Sequence, residues 1–415
     1  MDAIRFKTGF SLGAASAATQ VDGDCKNSNW YDWYQRGRIK DGSNPDIATG
    51  HRQRVEEDTE LLISMGIRDY RFGLEWARIE PNEGEFSEEE FSAVRHELEL
   101  LIKGGVRPLI TIHHFSNPMW FEKQGGFYNR AGVERFLRMV GEVVQRLGDL
   151  VSEYITINEP NVYAMNGYFS GSWPPGKRSV FAMLRVIRNM GECHRRSYEL
   201  IHELRAAMGY ADTKVGYAHH MRAYAPKNPK NVWHRVCTPI VRYIFQSHIS
   251  HSYLKKGGKV FADFHAVNYY SRTAVAGLKD GTFDGVCKND LGWEIYPEGL
   301  IICAKELDAL VRLPIYVTEN GTCDNNDAFR ARFIYEHLRE IANSELPFIR
   351  YYHWCFVDNF EWLEGMSARF GLVELHPGSL ERTVKASGRF YSELIANGGA
   401  DAAMLEKYCA REYHK

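Results

Sequence analysis

The sequence predicts an α/β fold closed as a (β/α)8 barrel, in one domain spanning residues 1–415. Three observations carry that expectation. Eight short apolar runs of β type recur along the chain. Helical patterns fill several of the gaps between them. Polar and ionisable residues gather at the C-terminal ends of the runs, which open onto a single face in a barrel of this kind. No low-complexity linker, long charge block or change of composition marks a boundary. A doubly wound open sheet is the competing architecture, but no glycine-rich phosphate turn follows the first run.

Taken in order, the first run covers 10–15. It is small and apolar, follows Arg5 and Lys7, and leads into Ala15-Ser16-Ala17, which imitates a leader cleavage site. The run is short and broken by serine and glycine, so it reads as a strand. A helix at 54–65 precedes the second run, 69–74, which carries Arg71 and leads to Glu75. A helix at 87–103 and the run 108–112 lead to His113 and His114. A helix at 131–147 and the run 154–157 lead to Asn158 and Glu159. After a long helix at 180–207, the run 214–218 ends at His219 and His220, and 264–267 ends at Asn268 to Tyr270. The last two runs, 315–318 and 349–353, flank a helix at 328–343 and end at Glu319-Asn320 and Trp354.

Composition narrows the function. Hydrophobic residues make up 44% and charged residues 25%, which excludes a disordered chain or a fibre. Lys+Arg 51 against Asp+Glu 53 gives a net charge of −2, so nucleic-acid binding has no electrostatic support. No apolar run approaches the roughly 20 residues needed to span a bilayer, so no membrane partner is expected. The eight cysteines are scattered and form no C-x-x-C pair, which points to free thiols in a reducing, cytoplasmic setting. Aromatic residues reach 13%, enough for a large core and also for a site that stacks flat apolar faces such as sugar rings.

Chemistry enters with two acids. Glu159 stands in Thr156-Ile157-Asn158-Glu159-Pro160 and Glu319 in Tyr316-Val317-Thr318-Glu319-Asn320-Gly321. Either alone is as well explained by a structural salt bridge as by function. Two in matching positions, on runs four and seven, are the paired carboxylates that glycoside hydrolysis uses. The histidines at 113, 114, 219 and 220 raise the alternative of a metal-dependent barrel hydrolase, but no Asp/His ligand set accompanies them at recognisable spacing. No metal is expected.

These two signatures closely resemble those of family 1 glycoside hydrolases, the β-glucosidase family. The resemblance runs from residue 10 to about 391. It includes Gly13-Ala14-Ala15-Ser16-Ala17-Ala18-Thr19-Gln20-Val21-Asp22-Gly23, Tyr70-Arg71-Phe72, His113-His114-Phe115, Asn268-Tyr269-Tyr270 and Asp358-Asn359-Phe360-Glu361-Trp362. It implies a (β/α)8 (TIM) barrel and retaining hydrolysis of a small-molecule β-glycoside, with no cofactor. It further implies Glu319 as nucleophile and Glu159 as acid/base, with Arg71 beside Glu319 and Tyr270 donating to it. Gln20, His114, Asn158 and Glu361 match sugar-binding positions, Trp354 the stacking floor, and Trp362 a donor from its indole. Retention places the two carboxyls about 5–5.5 Å apart. An ionised Glu319 is expected to raise Glu159 and keep it protonated. His113, His219 and His220 have no assigned role.

The chain departs from the pattern in having Asp22-Gly23 after the glutamine stretch and Ser116-Asn117-Pro118 after His114-Phe115. It is also short for the family, with loop trimming expected between strands five and six. Two other readings compete. A 6-phospho-β-glycosidase is disfavoured by Glu361, Ala368 and Phe370, which stand where that branch carries its phosphate-binding Ser, Lys and Tyr. A catalytically silent sugar-binding relative typically lacks one of the two glutamates, and both are present here. Oligomeric state, natural aglycone and the choice among gluco, galacto and fuco sugars are not legible.

Overall fold

A computed structural model describes residues 1–413. Its centre is a closed barrel of eight strands: β1 (Ser11–Ala15), β2 (Asp69–Gly73), β3 (Arg107–His113), β4 (Glu153–Asn158), β5 (Lys214–Pro226), β6 (His265–Ala276), β7 (Ile315–Asn320) and β8 (Phe348–Trp354). Each pairs in parallel with the next, and β8 returns to β1 through Arg350↔Ser11 to Trp354↔Ala15. The expected (β/α)8 barrel is therefore the observed one. Every residue of β2, β4 and β7 is buried, as parallel strands covered on both faces require.

The barrel interior is a packed core. Leu109, Ile155, Ala218, Phe264, Tyr316 and Tyr352 fill it, with the Phe264 and Tyr316 rings stacked at 4.1 Å. Below them a charged layer closes the N-terminal end. Arg350 grips Glu153 and Arg107 grips Asp69, each through two hydrogen bonds. Gly13 is required where β1 crosses β2, since a Cβ there would lie 2.5 Å from the Asp69 carbonyl.

Helices wrap the outside: α1 (Val55–Ser64), α2 (Glu88–Lys103), α3 (Ala131–Leu147), α4 (Val180–Ala207), α5 (Val232–Arg242), α6 (Glu298–Leu310), α7 (Arg330–Ala342) and α8 (Ala386–Asn397). Ser87 begins α2 by accepting from the Glu90 amide at 3.1 Å, with Glu88 and Glu89 favourably placed in the first turn. α3 buries Val133, Phe136, Val140, Val143, Val144 and Leu147 against the barrel, and each such side chain contributes about 1.5–3 kcal/mol. No helix among the described residues is long and apolar enough to cross a membrane.

The sequence underestimated two strands. β5 runs on to Pro226 and β6 to Ala276, so His219 and His220 lie inside a strand. Past the barrel rim the pair continues as a ribbon, from Ala223↔Arg272 to Pro226↔Val275, with the short strand Lys279–Gly281 added antiparallel to β6. That ribbon raises a wall on one side of the C-terminal face. Helices α5, α6 and α8 were also not expected, whereas those read at 54–65, 87–103, 131–147, 180–207 and 328–343 lie within two residues of α1, α2, α3, α4 and α7.

Candidate active site

The C-terminal face holds a cavity of about 450 Å³ lined by His114, Glu159, His220, Tyr270, Glu319, Trp354, Glu361 and Trp362. Backbone geometry aims several of these residues. Glu159 follows β4 in a left-handed conformation (φ 41°) and caps the helix begun by Pro160. Phe115 and Trp362 are left-handed too. For residues with a Cβ that conformation is costly, and such strain gathers at sites where a side chain must leave the line of its strand. Gly321 lets the ends of β7 and β8 close together, because a Cβ there would sit 1.9 Å from the Trp354 carbonyl.

One hydrogen-bond network joins the two acids. The fully buried Arg71 donates from Nη1 to Glu319 Oε1 at 2.5 Å and from Nη2 to Asn158 Oδ1 at 2.7 Å. Its Nε is fixed on Thr111 at 2.9 Å. Asn268 Nδ2 donates to Asn158 Oδ1 at 3.0 Å and to Glu159 Oε1 at 2.8 Å, and the Thr318 hydroxyl donates to Asn268 Oδ1 at 2.7 Å. Tyr270 gives its phenol proton to Glu319 Oε2 at 2.6 Å. The expected placement of Arg71 and Tyr270 beside Glu319 is therefore found.

The remaining expected site residues gather in two positions. His114 Nε2 accepts from the Asn158 amide at 3.0 Å, and its ring lies face to face with both Trp354 and Trp362. Burial first, and then the Arg71 charge, hold His114 well below its ordinary value, so it is neutral with Nδ1–H left as a donor. That buried Nδ1 has no protein partner among the described residues. Gln20 stands behind Glu361, donating to its Oε2 at 3.1 Å, while the Trp354 indole reaches the same oxygen at 3.4 Å. Burial, with the charges of Glu319 and Glu159 adding to it, raises Glu361 to about 8 against those two donors.

The acids differ from expectation in one respect. Burial and the charge of Glu159 push Glu319 up to about 7, against the pull of Arg71 and Tyr270. Burial also acts to raise Glu159. It is outweighed by the charge and hydrogen bond of His220, the hydrogen bond of Asn268 and the charge of Arg71, so Glu159 lies below its ordinary value while His220 is charged. The expectation that an ionised Glu319 raises Glu159 and keeps it protonated is reversed here, because His220, Asn268 and Arg71 together draw Glu159 down.

Other residues with roles here were not legible. Asn268 was recognised only as part of a motif. His220, without a role in the sequence, places Nδ1 at 3.1 Å from Glu159 Oε1. Trp173 and Trp293 help line the cavity from loops with no local signal. Glu75 serves structure, accepting from Thr19 and Ser116 and capping a short helix. His113 bonds Asn117 and His219 bonds Ser250. Among the described residues no group of three or more His, Cys, Asp or Glu side chains is arranged to hold a metal ion.

Comparison with known proteins follows the same lines. A family model described as Glycosyl hydrolase family 1 matches residues 2–257 and 259–400. Beta-glucosidase A of Thermotoga maritima is 28% identical over 97% of this chain and 100% of its own. Among solved structures, a beta-glycosidase from Pyrococcus horikoshii superposes with TM-score 0.89 at 30% identity, covering 99% of both chains. A beta-glucosidase from Thermotoga maritima in complex with glucoimidazole gives TM-score 0.87 at 26% identity, covering 96% of this chain and 100% of that one.

Proposed function

This chain belongs to glycosyl hydrolase family 1, and from that membership we propose that it is a retaining β-glucosidase acting on non-phosphorylated β-D-glucosides, with β-galactosides and β-fucosides as further candidates. One observation carries the reading: two buried carboxyls at the ends of β4 and β7 are joined through Asn158, Asn268 and Arg71 into one network facing a cavity of sugar size. Glu319 is the nucleophile and Glu159 the acid/base. Glu319 attacks the anomeric carbon as the bond to the leaving oxygen breaks, and Glu159 passes its proton to that oxygen. The charge of Glu319 disappears into the glycosyl ester, so Glu159 loses a repulsive neighbour and can take a proton from water. That water attacks the same carbon and restores Glu319, with net retention.

Gln20, His114, Asn158 and Glu361 would hold the sugar hydroxyls, supported by the unpartnered His114 Nδ1 and Gln20 Oε1. Trp354 provides the floor, and Trp362 provides both a face beside His114 and an indole donor. The whole chain is read as one domain. Eight free cysteines support a reducing, cytoplasmic setting. A 6-phosphosugar is disfavoured because Glu361 as a carboxylate repels phosphate, and as a buried neutral acid supplies no positive charge to balance it. Ala368 and Phe370 are core residues.

Two experiments test the reading. A panel of aryl β-glucoside, β-galactoside, β-fucoside and 6-phospho-β-glucoside should show turnover of the unphosphorylated sugars; cleavage of the phosphorylated one alone would overturn the substrate class. Glu319→Gly should be inactive and regain turnover with azide, releasing an α-glycosyl azide. A β-azide would contradict the nucleophile.

A further inference from the structure

We propose that His220 and Arg222 form a positioning relay: Arg222 keeps His220 neutral with its proton on Nδ1, and His220 thereby holds Glu159 so that the catalytic proton rides on Oε2. The inference rests on the reading of Glu159 as acid/base and adds to it two residues with no assigned role.

The argument follows from donors and acceptors. Arg222 Nε lies 3.1 Å from His220 Nε2. A guanidinium only donates and does not lose its proton, so Nε2 must present a lone pair. The imidazole's single proton is then on Nδ1, 3.1 Å from Glu159 Oε1. Asn268 Nδ2 donates to that same oxygen at 2.8 Å. With two N–H groups on Oε1, the acidic proton belongs on Oε2, the oxygen left open to the cavity.

The relay is held in place from several sides. The His220 ring stacks on Tyr270 at 5.8 Å and meets the edge of Phe245 at 6.0 Å. Arg222 lies over Phe245 at 4.7 Å, pairs through Nη1 with Asp280 at 3.1 Å, and has its backbone amide on Gln246 at 2.9 Å. The titratable groups that face His220 are Glu159 from β4, Tyr270 from β6 and Arg222 from its own strand. Glu319 and Arg71 lie across the cavity, and the buried neighbour His219 is neutral, pushed down to about 3 by burial. A charged His220 is the strongest influence drawing Glu159 down. Arg222 removes that influence, which leaves burial, the largest cause acting on Glu159, favouring its protonated form.

Opposite shifts from two variants test this. The basic limb of kcat/KM for an aryl β-glucoside reports loss of the acid's proton. In Arg222→Met, His220 becomes free to protonate, and the limb should move to lower pH by about one unit. In His220→Leu a donor is lost from Glu159, and the limb should move to higher pH. The double variant should follow His220→Leu. Equal shifts in the two single variants, no shift in either, or a double variant that follows Arg222→Met would overturn the relay. Side-chain 15N spectra give a readout independent of substrate, with the His220 signal identified by its loss in His220→Leu. A neutral imidazole protonated on Nδ1 is expected, becoming titratable in Arg222→Met. An imidazole protonated on Nε2 refutes the relay whatever the assay gives. If the unmodified enzyme cleaves no β-glucoside while the Nδ1–H imidazole is present, the substrate reading falls and the relay stands.

Discussion

Removing one hydroxyl from the cavity should displace the acid limb of activity by a calculable amount. Tyr270 donates to Glu319 Oε2 at 2.6 Å, and burial together with the Glu319 charge keeps the phenol protonated far above neutral pH. Tyr270→Phe deletes that donor and leaves the ring that stacks on His220. A hydrogen bond to a charged group contributes about 1.5–3 kcal/mol. It favours ionised Glu319 over neutral Glu319, and 1.36 kcal/mol corresponds to one pKa unit, so the carboxyl should rise by about 1–2 units. Glu319 already lies at about 7. In the proposed mechanism Glu319 attacks as the carboxylate, so the acid limb of kcat/KM moves upward, and about one unit below the original limb activity should fall roughly 10- to 100-fold. The deficit in kcat/KM should narrow at alkaline pH, because ester formation discharges Glu319 and the lost bond chiefly stabilised the starting carboxylate. Breakdown of the ester regenerates that carboxylate, so substrates limited by this second step should show lower kcat at every pH. Initial rates on an aryl β-glucoside from about pH 5 to 9 measure the limb. An acid limb that stays in place or moves down would show that Tyr270 does not stabilise the charged nucleophile.

Three further outcomes are expected. Gly321→Ala places a methyl 1.9 Å from the Trp354 carbonyl and must shift Trp354 or the end of β7 that carries Glu319 two positions back, so kcat/KM should fall by roughly tenfold or more, with far-ultraviolet circular dichroism unchanged; full activity would mean that the two strand ends yield freely. Arg350→Met leaves buried Glu153 without its guanidinium partner, at about 3–5 kcal/mol; the urea midpoint should drop while kcat/KM of the folded fraction holds. Glu361 is raised to about 8 in the folded protein, so the native state binds the extra proton and stability is lost as pH rises from the ordinary carboxyl range through 8. Glu361→Gln should flatten that loss by up to roughly 1.4 kcal/mol per pH unit, read as the slope of the denaturation midpoint against pH.

What was legible in the chain follows from where its information is local. β4 and β7 are buried on both faces, so their apolar runs stand out, and the abrupt change to Asn158-Glu159 and Glu319-Asn320 marks the rim. The ribbon beyond the rim was not legible. Met221-Arg222-Ala223-Tyr224 alternates weakly, and what makes it strand is pairing with Arg272 and Thr273, about fifty positions on. The left-handed turn at Glu159 was invisible because glutamate has no preference for it and a residue before proline ordinarily favours extended backbone. From sequence His220 is only a histidine near the rim, because its partners come from the end of β4, from β6 and from its own strand two positions on. Type and position survive in sequence, whereas protonation state is set by neighbours that only the fold assembles.

That distinction bears on which substrates the cavity can hold. Glu159, Glu319 and Glu361 share one buried space, and Arg71, bonded to Glu319, is the guanidinium beside them. Arg222, at the wall, is paired with Asp280, and Lys40 with Glu364. Three carboxyls with one internal cation cannot all ionise at low dielectric cost, which is why Glu319 and Glu361 are both raised, to about 7 and about 8. A neutral sugar fits such a site because its hydroxyls donate to whichever carboxyl is charged and accept from whichever is protonated. A phosphorylated sugar adds one to two negative charges and offers no hydrogen to an ionised Glu361. Binding it would force further protons onto the acids, including the nucleophile that must stay ionised. On the proposed substrate reading, exclusion of 6-phosphosugars follows from the charge balance of the whole cavity, and supplying a lysine at the rim alone should not convert the enzyme while Glu361 remains.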